Sequence, residues 1–139
     1  MSSTLTIIIV CIACSCPALD RFAVLSRVES ATKAHPDGDD QAVGAAGERG
    51  RYQETEAVWR EFNPTNCWQN FHYLTNSNFA LASVQGVMAN RSLQFKSRTG
   101  RWPSDFEWYL LWSSPSRVDH PTKFKASVAR RFANLCSRP

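Results

Sequence analysis

Cys67, His72, His120 and Cys136 are the side chains here whose types could assemble a metal site, and their spacing argues for another use. Structural zinc takes its ligands in compact pairs such as Cys-x2–4-Cys and His-x3–5-His. The intervals in this chain are Cys-x4-His and His-x15-Cys, so no metal ligand set is expected. An oxidising compartment would instead join Cys67 to Cys136 as a disulfide, because the other three cysteines, Cys11, Cys14 and Cys16, stand in the first 18 residues. Closing so long a loop is worth about 4 kcal/mol in the chain-entropy model. His72, His120 and Glu107, set among arginines, are also the raw material of a small secreted ribonuclease-like hydrolase, with acid–base groups beside phosphate-binding cations. Gly-x-Ser-x-Gly and His-Glu-x-x-His are both absent from the sequence, so no catalytic residue and no cofactor is assigned.

Asn90-Arg91-Ser92 is an N-glycosylation sequon, whereas Asn63-Pro64-Thr65 is blocked by its proline. The remaining chemistry lies in charge and aromatic rings. Residues 19–61 carry nine acidic and six basic side chains, a net of −3; residues 62–139 carry three and ten, a net of +7. Thirteen of the sixteen aromatics fall in the same basic part. Such a field raises encounter rates with anionic surfaces. Arg98, Arg101, Arg130 and Arg131 are therefore the expected contacts to an acidic or otherwise unidentified protein partner, and nothing in the sequence singles out nucleic acid. Trp108 and Trp112, four apart, suit core packing; exposed beside Arg98 and Arg101 they and Trp102 would make a stacking platform.

The address of the chain comes from its first residues. Leu5 to Ala13 is an apolar run of nine, too short to span a bilayer and suited to the core of a secretory leader, although no Lys or Arg precedes it. Small residues at Cys16 and Ala18 place the cut after Ala18. No later stretch is apolar enough to span a membrane. The expected organisation is a leader over 1–18, a disordered arm or pro-segment over 19–51 and a small basic, aromatic-rich domain over 52–139. The arm is rich in Gly and Asp and poor in large apolar residues, a composition that buries too little to offset its ordering entropy.

Within the domain, Gln53 to Phe62 reads as a short helix stopped by Asn63-Pro64. Phe71-His72-Tyr73 looks strand-like. Phe79 to Met88 fits a helix through Leu81, Val84 and Met88 and also alternates. Arg91 to Lys96 alternates more cleanly, with Leu93 and Phe95 on one side, and reads as a half-buried strand. Ser104-Asp105-Phe106-Glu107 has the form of a capping box and would open a helix through Trp108, Leu111 and Trp112, against a rival strand with Phe106, Trp108, Leu110 and Trp112 on one face. Pro121 suits a helix start, and Phe124, Val128, Phe132 and Leu135 follow at helical spacing with Arg130 and Arg131 on the flank. These elements amount to an α+β fold, a small single domain with one disulfide behind a disordered arm.

Two short stretches resemble known families. Phe62 to Trp68 is similar to the loop of allatostatin C-type neuropeptides, but Arg60 and Glu61 stand where the first of the two bracketing cysteines would be. Arg91-Ser92-Leu93-Gln94 resembles the Arg-x-Leu-Arg translocation motif of oomycete effectors, but lies inside the domain rather than near the leader. The expectation is a secreted, non-enzymatic interaction protein of effector, toxin or defence type. The alternatives are a peptide-hormone precursor, for which Arg130-Arg131 is the only dibasic pair after the leader, and the hydrolase above.

Overall fold

A computed structural model describes residues 20–62 and 71–138. The expected leader, Cys67 and most of the Phe62–Trp68 stretch lie outside the described residues. Helices follow one another as α1 (Arg21–Ser30), α2 (Glu56–Phe62), α3 (Ser77–Thr99), α4 (Asp105–Ser113) and α5 (Lys123–Cys136), with single 3-10 turns at Phe71–Thr75 and Pro115–Arg117. The expected α+β fold is thereby corrected: 64% of the described residues are helical, and the extended pairing among them is limited to two isolated bridges, Val43 with Arg49 and Arg49 with Glu54.

The strand expected at Arg91–Lys96 is the fifth turn of α3 and the start of the sixth. Asn76 caps this helix by accepting from the backbone N–H groups of Asn78 and Phe79, and Gly100, at φ +79°, ends it in the left-handed region. Ala80, Val84, Val87, Arg91 and Phe95 recur at three- and four-residue intervals and are all buried. Leu93 and Phe95, paired by the alternation, point apart: Leu93 is 54% exposed and Phe95 3%. Two residues subtend about 200° on a helix, so a period-2 pattern over six residues also fits a helix with one member out. Phe71–Tyr73, read as a strand, is the 3-10 turn that leads into this cap.

The expected disordered arm is corrected as well, because residues 20–51 are folded onto the rest. Asp20 caps α1 through the Phe22 N–H, and Val24 and Leu25 are buried completely. Phe22 meets Trp108 edge to face with ring centres 5.5 Å apart. After α1 the backbone runs through turns that side chains tie back: Ser26 donates to the Asp37 carbonyl, Ser30 to the Arg51 carbonyl, and Arg51 forks onto both oxygens of Asp40 at 2.6 and 2.9 Å. Gly50, at φ +71°, passes so close to the Leu74 carbonyl that a Cβ there would collide with it. Few large apolar residues suffice when each is fully buried, at roughly 1.5–3 kcal/mol apiece.

The core lies between α1, α3, α4 and α5. Helix α4 begins with the capping box at Ser104, in which both reciprocal hydrogen bonds form, and buries every residue from Trp108 to Trp112. Phe132 of α5 stacks on Trp108 at 5.5 Å and leans on Tyr109 at 5.3 Å. Trp108 and Trp112 are therefore core residues. The expected Cys67–Cys136 disulfide is also corrected: Cys136 is a buried free thiol at the last turn of α5, and burial, the largest influence, raises its pKa to about 11. Packing of α5 on α4 and α1, rather than a covalent bridge, holds the C-terminal helix in place.

Candidate functional site

Helix α5 brings together four cations, Lys123, Lys125, Arg130 and Arg131, that form no ion pair with any described residue. Thr122 caps it by accepting from the Lys125 N–H, and its fourteen residues include no Asp or Glu. Ala126, Ala129, Phe132 and Cys136 form its buried stripe. At 100° per residue the opposite side carries Lys123, Phe124, Ser127, Arg130, Arg131 and Asn134, and all six are exposed. Lys123, Arg130 and Arg131 form no ion pair with any described residue. Phe124, 72% exposed, stands among them with no apolar neighbour covering it. The outward side of α5 is thus a stripe about 20 Å long with one sign of charge and one bare aromatic ring.

The other two arginines expected at a partner surface have been used within the fold. Arg98 reaches Asp119 at 2.7 Å, and Arg101 forks onto Glu107 at 2.6 and 2.8 Å. These pairs tether the ends of α3 and α4 to neighbouring loops and remove both cations from the free field. Trp102, 49% exposed, has the Lys96 ammonium 4.4 Å from its ring centre, so its face is occupied. Of the four predicted arginines, Arg130 and Arg131 share one face and Arg98 and Arg101 do not join it. Lys123 and Phe124 were missed by sequence reasoning; the signal that finds them is the absence of any acid from a strongly amphipathic helix.

Glu107 does not suit the acid–base role that a hydrolase would need. The Arg101 guanidinium, seconded by hydrogen bonds from Ser104, pulls its carboxyl down to about 2, so it stays ionised and structural near neutrality. His72 lies in the 3-10 turn before α3 and His120 in the loop before α5. Among the described residues no three His, Cys, Asp or Glu side chains converge on a metal-sized site. Asn90 is exposed on α3, where its side chain accepts from Gln94.

A cleft of about 450 Å³ lies between residues 44–55, the end of α4 and the inner side of α5, lined by Glu29, Glu48, Gln53, Arg91, Ser113 and Lys125 among others. Its polar groups largely serve the fold. Arg91 is committed on every side: to Glu61 at 3.0 and 2.6 Å and to the Leu111 and Trp112 carbonyls at 2.6 and 3.0 Å. Glu48 accepts from the Ala46 N–H, and Gln53 donates to the Gly50 carbonyl. Burial pushes the Glu29 carboxyl up, partly offset by a hydrogen bond from Tyr109 and the charge of Lys125. The cleft is a polar seam between the N-terminal turns and the helices. Compared with protein-family models, curated proteins and solved structures, the chain matches none.

Proposed function

We propose that this is a secreted, non-enzymatic interaction protein of effector, toxin or defence type, and that it holds an acidic partner with the outward side of α5. One observation carries the reading: Lys123, Arg130 and Arg131 stand exposed and unpaired on a helix without a single acid, while Arg98 and Arg101 elsewhere are neutralised within the fold. Cations kept free of internal partners retain their field for an external one, and such a field acts over about 8 Å at physiological salt. The secretory part of the reading rests on the apolar run Leu5–Ala13 and its small-residue cut site; removing residues 1–18 leaves the Asp20 cap of α1 intact. No helix of the described residues is long and apolar enough to cross a membrane.

Titration with poly-L-glutamate tests the electrostatic part. Affinity should fall steeply as salt rises from about 50 to 200 mM, and should fall further in Arg130→Glu/Arg131→Glu. Binding that ignores both changes would remove the basis of the reading. N-terminal sequencing of chain recovered from the medium of a eukaryotic host tests the address: Leu19 at the terminus supports it, and intact Met1 contradicts it.

A further inference from the structure

We infer that the partner of the α5 stripe is an anionic lipid bilayer, met at its surface, with Phe124 entering the headgroup region and Lys123, Arg130 and Arg131 lying over the lipid charges. This rests on the acidic-partner reading and narrows it. The motive is Phe124 itself. It is the most exposed large apolar side chain among the described residues, and it stands next to Lys123, one turn from Ser127 and two turns from Arg131 on the same face. A phenyl ring has no donor or acceptor, so it adds nothing to the recognition of carboxylates, whereas a bilayer interface takes an apolar ring and a cation side by side.

Shape points the same way. The stripe is the outward, convex side of a surface helix about 20 Å long, and it matches a flat partner better than a nucleic-acid strand, which needs a groove that tracks its backbone. The apolar stripe of α5 is consumed by the core, through Ala129, Phe132 and Cys136, so insertion is limited to the one ring. Binding is therefore peripheral, reversible and dependent on salt. Each basic residue near an anionic leaflet multiplies partitioning by about five, so removing two should cost about 25-fold.

Pelleting with vesicles of phosphatidylcholine, alone or mixed with phosphatidylglycerol, reads the inference directly. Wild type, Arg130→Gln/Arg131→Gln and Phe124→Ala all carry the same N-terminal residues, so differences between them report α5. The expected result is partitioning to the anionic vesicles well above that to phosphatidylcholine, lost about 25-fold in the double variant and several-fold in Phe124→Ala, with thermal midpoints unchanged for all three. Equal partitioning to both vesicle types, or variants that bind anionic vesicles as wild type does, overturns the inference. Salt-sensitive binding to poly-L-glutamate without binding to anionic vesicles overturns the lipid assignment and leaves the acidic-partner reading standing. Binding to neither ends both.

Discussion

Ser83 donates a 2.6 Å hydrogen bond to one carboxylate oxygen of Glu54 in the protein interior, and the other oxygen of that carboxylate has no hydrogen-bond partner. Glu54 is 1% exposed, and burial is the main reason its pKa rises to about 7; Ser83 and the charge of Arg91 oppose the rise, and Glu61 adds to it. The folded state thus holds a proton on Glu54 at pH values where the unfolded chain has released it. Stability from this group is complete below about pH 4.5 and is lost as pH climbs through about 7. A tenfold difference in proton affinity between the folded and unfolded chain is worth about 1.4 kcal/mol, so the loss is about 3 kcal/mol. Urea midpoints should be higher at pH 5 than at pH 8, and Glu54→Gln should remove most of that difference; the part left over belongs to Glu29, whose pKa is raised in the same sense. A pH step of equal size in the variant would show that Glu54 is not its source.

Helix α1 is part of the core, and Leu25 is the residue to test it with. Leu25→Ala should cost about 2–5 kcal/mol, the usual range for truncating a fully buried leucine. Limited proteolysis should leave residues 20–51 as protected as α5. A cost near zero in urea unfolding, with rapid loss of those residues to protease, would restore the disordered arm.

Arg91 ties α3 to Glu61 of α2 and to the C-terminal carbonyls of α4, and it is nearly inaccessible to solvent. Arg91→Ala leaves two buried carbonyls without their donor and Glu61 without its counter-ion, so it should destabilise by about 3–5 kcal/mol. Arg91→Lys keeps the charge but loses the fork and should recover less than half of this. A neutral Arg91→Ala in chemical denaturation would mean that water replaces the guanidinium at no cost.

The parts of this fold that were legible in the sequence are those with local signals. The Ser104–Glu107 capping box and the spacing of Val128, Phe132 and Leu135 after Pro121 depend on residues three or four apart, and α4 and α5 form where those signals stand. Helix α3 was not legible as one element: Phe79 to Met88 fits a helix and also alternates, and Leu93, out of the buried stripe, makes the second half look like a strand. Residues 20–51 failed for a different reason. Their order comes from Arg51 on Asp40, Ser30 on the Arg51 carbonyl and the close pass of Gly50 to Leu74, none of which composition can register. The candidate surface was half legible. Arg130 and Arg131 were marked by charge, but which arginines remain free depends on Asp119 and Glu107 being in reach of the other two.

That last distinction is also the most direct test of the account. Anisotropy of labelled poly-L-glutamate should be followed with wild type, Arg130→Gln/Arg131→Gln and Arg98→Gln/Arg101→Gln, each at low salt and each checked for an intact helical signal. The two double variants lose the same formal charge, so net charge alone predicts equal weakening. A free face on α5 predicts a loss of tenfold or more for the Arg130/Arg131 variant, about 0.7 kcal/mol or more per charge, and a clearly smaller loss for the Arg98/Arg101 variant. Equal losses, or the larger loss from Arg98 and Arg101, would contradict the assignment of the surface to α5.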